Sequence, residues 1–548
     1  MTSAPLGIVP VVGIPGGGKT HLLATVAMVC LGSTNFNKLM CCTPTHAAAD
    51  ALTGKLDVVS RKAIAAFNSK VPVQQQKRQP IIIRAYHDRA EIDAVLYMAR
   101  NNGELPERNS NSNPWNTMHW AMDHSFAEYF LKVFGYRQYD LDQNQSLELC
   151  NIRRILNEDK RYKDVRDVLN GMRIQTVIER RIDEQKDWPS VEGLIKQAML
   201  RIALAADIMV STTHGSLERF TKFFNKEIAK ATVIDEAGCF HDAEAIIPWR
   251  QSRPLFVGGD INQLPPPVMS KNKKKTIGTK QVPANVFSRH YSISFLEKIM
   301  LNGWPCLVLD EQLRICSGSF DLACETIYKN QQVLYTTDTA LHSSRYRYAA
   351  RIDDVLQKID PSVARSPNGK LWPVFLHCGN TQCIQTEHSS RYNVQQADKA
   401  LSLISVIGKE VSANAKDMLI IVPYRALLDH VHLRLSQSSG PMKNIPVATA
   451  DLFQGHEAPL TFFVLTVTAG SGPGFLCDRR RLNVSSTRHT EMFFAIGDIN
   501  TVKSAKASVP IQGRVDEGQH ITQYSSRPAS IFQFLQWFKA KQRVIYEF

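Results

Sequence analysis

Short hydrophobic runs recur along the first 260 positions of the chain, and most of them end in a polar or glycine-rich turn. The six runs are LGIVPVVG, KLMCCTP, IIIRAY, ADIMVSTT, ATVIDEA and PLFVGGD. Runs of this length that are rich in Val and Ile, and that alternate with helix-like segments, are typical of parallel strands buried on both faces. The pattern therefore predicts a parallel α/β sheet in the first half of the chain.

A second series of five hydrophobic runs follows in the other half. The runs are PVFLHC, DMLIIVPY, NIPVATAD, LTFFVLTVT and EMFFAIGD. A chain of 548 residues is too long for one ordinary core, so the two series predict two α/β sheets in tandem. We place the first domain at residues 1–300 and the second at residues 301–505.

The pattern changes between the third and fourth runs, over about residues 101–200. A polar, loop-like stretch, NNGELPERNSNSNPWN, is followed by mixed-charge stretches such as RRILNEDKRYKDVRDVLNG, with apolar residues at helical spacing. This spacing predicts a helical insertion in the first domain.

Two further segments have their own character. KNKKKTIGTK, at residues 271–280, is predicted to be a basic surface loop that contacts phosphates, acts as a localisation signal or is simply solvated. The tail, residues 506–548, ends in IFQFLQWFKAKQRVIYEF, which we expect to form an amphipathic helix packed against the core.

The charge of the chain narrows the choice of partners. Lys and Arg outnumber Asp and Glu by 65 to 51, which gives a net charge of +14. Excess positive charge favours polyanionic partners, with nucleic acid ahead of an anionic membrane, although a basic surface can also serve only solubility. The most apolar stretch, LLATVAMVCLG, is too short to span a membrane and is better explained as a core helix.

Cysteine usage and the first residues bear on the compartment. The 11 cysteines include no C-x-x-C pair, which argues for reduced thiols in the cytoplasm or nucleus and against a zinc module. MTSAPLGIVPVVG contains no charged-then-apolar leader, so we expect a protein that is not secreted.

The segment GIPGGGKT fits the pattern G-x-x-x-x-G-K-[ST] and stands between a predicted strand and a predicted helix. Its glycines, which are Gly13, Gly16, Gly17 and Gly18, let backbone N–H groups turn towards phosphates. The N-terminus of the helix adds partial positive charge. Lys19 would reach the β- and γ-phosphates, and the Thr20 hydroxyl would ligate Mg²⁺.

The segment ATVIDEAG supplies two carboxylates directly after a hydrophobic run. Asp235 is placed to hold the Mg²⁺ shell, and Glu236 is placed to orient the attacking water as a general base. An isolated Asp-Glu pair is usually a charged turn, but its position after a buried strand favours hydrolysis of a nucleoside triphosphate.

Polar clusters in the second half lie at or near strand ends, where α/β sheets present their ligand sites. DEQLRI offers Gln312 and Arg314, DLFQGHE offers Gln454 and Glu457, and RRLNVSSTRHT offers Arg488. Arginines delivered from a facing domain can stabilise transition-state charge, whereas a single arginine is more often a surface ion-pair partner.

The order of these motifs resembles superfamily 1 nucleic-acid helicases, in the branch typified by the nonsense-mediated mRNA decay helicase. The resemblance runs from about residue 8 to about residue 500. The segments that carry it are GIPGGGKT, CTPTHAAADAL, ADIMVSTTHGS, VIDEAG, GGDINQLPP, LDEQLRI, VPYRAL, TADLFQGHE and RRLNVSSTR. It implies two RecA-like P-loop domains, ATP and Mg²⁺ as cofactors, and single-stranded RNA or DNA as partner.

The resemblance also implies roles for individual residues. Arg314 and Arg488 would be arginine fingers, and Gln263 would sense the γ-phosphate. Three residues would hold the nucleotide, with Tyr424 against the adenine; they are Gln312, Tyr424 and Glu457. Four residues are candidates for the nucleic-acid track, where sequence-blind contacts follow phosphates; they are Pro44, Thr45, Thr212 and Thr449. A threonine can also end a strand or cap a helix for local reasons.

The chain departs from the family pattern in several places. Only 12 residues precede Gly13, so the upstream adenine-reading glutamine and accessory β-barrel of the family are expected to be absent, in a truncated product or in a protein that works without them. Smaller departures replace a tyrosine, an acid and a glutamine of the pattern and add a histidine; they are Leu313, Gln396, Leu427 and His489. None removes a group needed for hydrolysis.

These observations support an ATP-dependent motor on single-stranded nucleic acid, a helicase moving by analogy with the family towards the 3′ end. ATP would bind between the two α/β domains, so that hydrolysis changes their spacing. One alternative is a nucleic-acid-stimulated ATPase that clamps or remodels complexes without unwinding, and another is a non-catalytic scaffold of the same fold. Sequence-blind backbone contacts do not choose between RNA and DNA.

Overall fold

The computed structural model describes residues 4–548 except 102, 105–119, 142–145, 184–187, 251–252, 269, 271–272, 279, 439–440, 451–456, 506–508, 516–520, 527 and 547. For residues 280, 441, 509–515 and 521–526 it describes the backbone alone. The chain divides into two compact units. The first comprises Met1–Val11, Lys19–Gly259 and Lys298–Leu307, and the second comprises Val12–Gly18, Asp260–Glu297 and Val308–Phe548. The domain limits at residues 300 and 505 stay a prediction.

All six hydrophobic runs of the first half form strands, as predicted. They are β1 (Ile8–Gly13), β2 (Leu39–Thr43), β3 (Ile82–Arg84), β4 (Ile208–Thr212), β5 (Ala231–Ile234) and β6 (Leu255–Gly259). Their sheet has the order β3-β4-β2-β5-β6-β1 and continues at β1 with β9 (Leu307–Leu309). The pairs β3–β4, β4–β2, β2–β5 and β5–β6 are parallel.

Helices cover both faces of this sheet, which explains the continuous hydrophobic runs. Along β2, Leu39 and Cys41 belong to the core formed with α1 (Lys19–Leu31) and α2 (His46–Asn68). Met40 and Cys42 belong instead to the core formed with the helices of the insertion. Because successive strand residues point to opposite faces, a strand that is covered on both sides needs no polar positions.

The predicted helical insertion is present in the described part of residues 101–200. The helices of this region and its flanks are α3 (Asp88–Arg100), α4 (Phe126–Phe134), α5 (Leu147–Glu158), α6 (Lys163–Leu169), α7 (Ile174–Asp183) and α8 (Val191–Ala205). Serine hydroxyls accept backbone N–H bonds at the N-termini of α4, α5 and α8, so the ends of these helices are set locally. The remaining helices of the first unit are α9 (Arg219–Phe223) and α10 (Asp242–Ile246).

The second unit contains the second parallel sheet, in the order β16-β15-β17-β18-β12-β21. Its strands are β12 (Val374–His377), β15 (Met418–Val422), β16 (Val447–Thr449), β17 (Ala458–Val464), β18 (His489–Gly497) and β21 (Val544–Ile545). Every neighbouring pair is parallel. The first five of these strands coincide with the predicted runs, which confirms the predicted α/β class for both halves.

Helices again lie on both faces of the second sheet. The helices of the unit are α11 (Ser288–Tyr291), α13 (Asp321–Thr326), α14 (Ala349–Ile359), α15 (Val394–Val411), α16 (Arg425–Ser436), α17 (Arg479–Ser486) and α18 (Ala529–Ala540), and α12 (Phe295–Leu301) begins in this unit. Short strands form three small two-stranded sheets in addition to the basic hairpin described below. They are β10 (Glu311–Gln312) with β11 (Leu334–Tyr335), β13 (Ile384–Gln385) with β14 (Arg391–Tyr392), and β19 (Val509–Val515) with β20 (Ile521–Ser526).

One local prediction was wrong, and the predicted terminal helix is present over only part of its expected length. The basic stretch expected to be a loop contains β7 (Lys274–Ile277), which pairs antiparallel with β8 (Lys280–Pro283). Its strand residues are exposed, so they carry no hydrophobic alternation that could reveal the hairpin. The terminal helix ends at Ala540, because Gln542 takes the left-handed conformation with φ 53°, and Val544–Ile545 then pair with β12.

None of the 11 cysteines, all of which lie among the described residues, forms a disulfide. Among the residues that the structure describes, no helix has both the length and the apolar composition that crossing a membrane requires.

Candidate nucleotide-binding site

The glycine-rich loop follows β1 and precedes α1, as the sequence predicts. Gly16 and Gly18 have φ angles of +82° and +83°, in the left-handed region that side chains rarely adopt. The Gly17 N–H donates a 3.1 Å hydrogen bond to the Ile14 carbonyl, which closes the loop on itself. This is the type of backbone path in which successive N–H groups can surround phosphate oxygens.

Lys19 and Thr20 begin α1 in the first unit. The Thr20 hydroxyl donates a 2.7 Å hydrogen bond to Asp235 Oδ2, across 215 positions of sequence. Lys19 is 8% exposed and Asp235 is 3% exposed. The predicted lysine and threonine are therefore the first two residues of α1, and the predicted carboxylate of Asp235 is bound to that threonine.

The position of Asp235 is set by the sheet. Its backbone N–H donates to the Cys42 carbonyl at 3.0 Å, which extends the pairing of β5 with β2. Burial and the neighbouring Glu236 charge raise the pKa of Asp235 to about 6, while the Thr20 hydroxyl and the Lys19 ammonium act in the opposite direction. A buried carboxylate beside a hydroxyl is a donor set that suits a hard divalent cation such as Mg²⁺.

Glu236 occupies an uncommon backbone conformation. Its φ and ψ are 57° and 36°, in the left-handed region, and its N–H donates a 2.9 Å hydrogen bond to Asp235 Oδ1. Such conformations cost of order 1–3 kcal/mol and cluster at functional sites. The bend turns the chain immediately after the carboxylate of Asp235.

Gln312 lies in the second unit against the glycine-rich loop. Its Nε2 donates to the Pro15 carbonyl at 2.9 Å. Its Oε1 accepts the backbone N–H groups of Arg314 and Ile315, each at 3.0 Å. A Cβ added to Gly16 would lie 2.1 Å from this Oε1. Both ends of the buried amide are thus bound by protein, so in this conformation Gln312 supports the loop instead of offering its amide to a nucleotide.

Arg314 is joined to the end of α17. Its Nη2 donates to the Thr487 carbonyl at 2.8 Å, directly before Arg488, and its Nη1 pairs with Glu457 at 3.0 Å. Its Nε is buried and has no hydrogen-bond partner among the described residues. Two predicted arginines and Glu457 are therefore neighbours, and Glu457 neutralises Arg314 here. Gln454 lies outside the described residues.

Arg488 and Gln263 form a direct pair in the second unit. Arg488 Nη2 donates to Gln263 Oε1 at 2.9 Å, and Arg488 Nε donates to the Val484 carbonyl at 3.1 Å. Arg488 is 3% exposed and Gln263 is 5% exposed. The family resemblance assigns these residues to γ-phosphate chemistry, and the fold brings them within one hydrogen bond of each other.

Tyr424, the residue predicted to lie against the adenine, has several partners within the second unit. Its ring stacks on Phe475 at 5.3 Å between centroids, and the Arg391 guanidinium lies 5.9 Å from the ring centroid. Its hydroxyl accepts the Phe475 N–H at 3.2 Å. Tyr424 is 4% exposed, and its contact with an adenine stays a prediction.

The four residues predicted to contact nucleic acid lie at or just after strand ends, and two of them make local hydrogen bonds. Pro44 follows β2, and the Thr45 side chain accepts the Ala48 N–H at 3.2 Å as the N-cap of α2. The Thr212 hydroxyl oxygen accepts the Gly215 N–H at 3.1 Å. Thr449 is the last residue of β16 and pairs with Val422. These contacts give Thr45 and Thr212 a structural role in the residues described.

Three of the four residues that depart from the family pattern are buried inside the protein. Leu427 and His489 are fully buried, and His489 Nε2 lies 3.2 Å from the Ser319 carbonyl. Gln396 is also fully buried and donates to the Val467 carbonyl at 3.1 Å. Leu313 is 38% exposed, with its Cδ1 3.0 Å from the position of a Cβ on Gly18.

Three residues beside Gln263 were not predicted from the sequence. Gln263 Nε2 donates to Asp260 Oδ2 at 3.2 Å, and the Tyr328 hydroxyl donates to the same oxygen at 2.6 Å. Asn483 Nδ2 donates to the Tyr328 hydroxyl oxygen at 2.6 Å. Asp260 and Asn483 stand inside the quoted segments GGDINQLPP and RRLNVSSTR, which was a usable signal. Nothing local distinguished Tyr328.

Two family models match most of the chain, and each is described as an AAA domain. They match residues 2–271 and 291–500. Helicase sen1 of Schizosaccharomyces pombe is 24% identical over 62% of this chain and 19% of its own length. DNA-binding protein SMUBP-2 of Rattus norvegicus is 22% identical over 90% of this chain and 41% of its own length. Regulator of nonsense transcripts 1 of Dictyostelium discoideum is 23% identical over 89% of this chain and 29% of its own length.

The glycine-rich loop between β1 and α1, and the carboxylates after β5, define the class of P-loop nucleoside triphosphatases. Within that class, the chain belongs to the superfamily 1 helicases, in the branch of the nonsense-mediated decay helicase. The chain spans less than half the length of each of these three relatives.

Proposed function

We propose that this chain is an ATP-dependent helicase that couples ATP hydrolysis to movement along single-stranded nucleic acid. The observation that carries the proposal is the 2.7 Å hydrogen bond from the Thr20 hydroxyl to Asp235 Oδ2, beside the buried Lys19. A hydroxyl and a carboxylate held together at the start of a helix that follows a glycine-rich loop form the metal-binding half of a triphosphate site.

Thr20 and Asp235 would hold Mg²⁺, whose bound charge offsets the negative charge that builds up on the transferred phosphoryl oxygens. Lys19, at the first position of α1, would contact the β- and γ-phosphates together with the loop N–H groups. Gly16 and Gly18 allow the backbone path of the loop, because a residue with a side chain would be strained at either φ.

Glu236 would take the proton from the attacking water. Its backbone N–H is fixed on Asp235 at 2.9 Å, so its position relative to the metal-binding carboxylate is set by the main chain. General-base assistance of this kind contributes about 10²–10⁴ to a rate.

Arg314 and Arg488 would stabilise the negative charge of the transition state, and Gln263 would respond to the γ-phosphate. Their connection through Thr487 and through the Arg488–Gln263 hydrogen bond supports a concerted response of these three side chains. Because the Arg314 charge is now paired with Glu457, nucleotide binding would exchange one anionic partner for another.

The proposed partner is single-stranded nucleic acid, with movement towards its 3′ end, along a track that includes Pro44, Thr45, Thr212 and Thr449. The relatives include a helicase and a DNA-binding protein, which supports a nucleic-acid partner. The net charge of +14 agrees with binding to a polyanion.

The test is a comparison of ATP turnover without polymer, with single-stranded RNA and with single-stranded DNA, using Lys19→Ala as the inactive control. We expect at least one polymer to raise turnover, and the variant to lose it. Turnover that is insensitive to both polymers would reject the motor and leave an ATPase. Unwinding of a tailed duplex then separates a helicase from an ATPase that only clamps or remodels its complexes.

A further inference from the structure

A chain of buried hydrogen bonds extends from Arg488 to Tyr328 in the second unit. Arg488 Nη2 donates to Gln263 Oε1, and Gln263 Nε2 donates to Asp260 Oδ2. The Tyr328 hydroxyl donates to that carboxylate oxygen at 2.6 Å and accepts from Asn483 Nδ2 at 2.6 Å. None of the five side chains is more than 5% exposed.

The chemistry of the groups determines which atom donates and which accepts in each of these hydrogen bonds. An ionised carboxylate can only accept hydrogen bonds, so both the phenol and the amide nitrogen of Gln263 must donate to Asp260. Once Gln263 turns its nitrogen towards Asp260, its oxygen faces Arg488 and can accept from the guanidinium. With the amide reversed, the nitrogen would face a group that only donates. Asp260 and Arg488 therefore require the same orientation of the Gln263 amide, and Asp260 holds that orientation from the side away from the arginine.

Tyr328 fixes Asp260 from the other side. Burial and the Asp260 charge hold the pKa of Tyr328 well above its usual value, so the phenol keeps its proton and remains a donor. The same oxygen receives Asn483, whose Nδ2 also donates to the Asn262 carbonyl at 2.8 Å. Asn483 belongs to α17, the helix that ends two residues before Arg488. One hydroxyl thus connects the loop that carries Gln263 with the helix that leads to Arg488.

We propose that Tyr328 is a positioning residue, which presets the Gln263–Arg488 pair for transition-state stabilisation. The inference rests on the proposed ATPase function. Tyr328 acts through Asp260 and Gln263, to which its hydroxyl is joined by hydrogen bonds. Its ring packs separately, 5.7 Å from the Phe320 ring, in a small core that also contains Ile14.

The test is Tyr328→Phe, which keeps the ring and removes only the hydroxyl. The matched control is Tyr348→Phe, because the Tyr348 hydroxyl also donates to a buried carboxylate, Asp417, at 2.7 Å in the same unit. Polymer-stimulated kcat, the KM for ATP and the thermal unfolding temperature are measured for both. We expect Tyr328→Phe to lower kcat about tenfold with little change in KM, and Tyr348→Phe to leave kcat near the wild-type value. Similar unfolding temperatures would show that stability does not explain the difference.

A double-mutant cycle separates positioning from a general structural effect. In a Gln263→Ala background the tyrosine has no amide left to orient, so adding Tyr328→Phe should reduce kcat by less than about twofold. An equal loss in both backgrounds, or a loss matched by Tyr348→Phe, would overturn the inference. Wild-type protein is assayed in parallel. Absence of turnover there would reject the proposed function and this inference together, whereas normal wild-type turnover with an unaffected Tyr328→Phe rejects the inference alone.

Discussion

Arg488 donates a 2.9 Å hydrogen bond to Gln263, although 225 positions of sequence separate the two residues. The guanidinium also donates to the Val484 carbonyl one helical turn earlier, so its orientation is fixed by α17 and by Gln263 together. A planar group with several donors can satisfy both partners, whereas a single ammonium cannot do so in the same geometry.

Replacing Arg488 with Lys should therefore reduce turnover while the charge is retained. We expect kcat to fall by about 10³ or more, the lower range for loss of an arginine finger, with much smaller change in nucleotide affinity. Steady-state kinetics and binding of a fluorescent nucleotide measure the two quantities. Arg480→Lys is the control, since Arg480 lies on the same helix and pairs with Glu297 at 2.8 Å. Equal losses in both variants would mean that the effect belongs to α17 as a whole.

Glu236→Gln should bind ATP and nucleic acid but turn over at least about 100-fold more slowly, because the amide cannot take a proton from water. The substitution keeps the side-chain shape, and the N–H bond to Asp235 belongs to the backbone and survives. Equilibrium binding and single-turnover hydrolysis distinguish binding from chemistry. Glu244→Gln serves as the control, because Glu244 accepts the His241 N–H at the start of α10 and affects only that helix end. Normal turnover of Glu236→Gln would exclude Glu236 as the base.

Gly16→Ala should destabilise the glycine-rich loop through two separate effects. The φ of +82° is strained for alanine, and the new Cβ would lie 2.1 Å from Gln312 Oε1. Gly171→Ala isolates the first effect, since Gly171 has φ +97° and nothing within 4 Å of its Cβ position. We expect the control to lose about 1 kcal/mol of stability and Gly16→Ala to lose more, together with nucleotide affinity. Chemical denaturation and nucleotide titration test this. Equal losses of stability in the two variants would show that the Gln312 side chain moves away from the new Cβ without loss of stability.

Glu91 should make the stability of the first unit depend on pH. Its carboxyl group is fully buried and accepts the N–H groups of Ala127 and Tyr86 at 3.0 Å and 3.3 Å. Burial raises its pKa from 4.5 to about 7. A raised carboxyl pKa gives stability that is complete below the unfolded value and is lost as pH rises through the folded value.

Glu91→Gln should remove this dependence, because an amide does not ionise in this pH range. Its single oxygen can accept only one of the two N–H groups, and the resulting loss of stability does not change with pH. Between pH 5 and pH 8 the wild type should lose up to about 3 kcal/mol relative to the variant. Denaturant unfolding at several pH values measures the difference. The control is Glu158→Gln, an exposed residue paired with Arg154, for which the difference should stay near zero. A constant difference between wild type and Glu91→Gln would contradict the expected ionisation.

Eleven strands and the glycine-rich loop could be located from short stretches of sequence, because their signals are local. A strand such as β2 is covered on both faces and shows this as a hydrophobic run, and the loop shows its backbone requirement as fixed glycines. The basic hairpin could not be predicted, because its exposed strand residues have no hydrophobic period. The end of the last helix could not be predicted either, because the two-residue strand that follows it depends on pairing with β12.

Side-chain partnerships required the folded chain. Gln312 and Tyr424 carried the right residue types for nucleotide contacts, yet one supports the loop at Pro15 and the other is covered by Phe475. Tyr328 gave no signal at all, because its importance comes from Asp260, which lies 68 positions earlier in the chain. Residue spacing records the path of a backbone over a few residues, whereas a hydrogen bond depends on where distant segments meet, and packing of the whole chain sets that meeting.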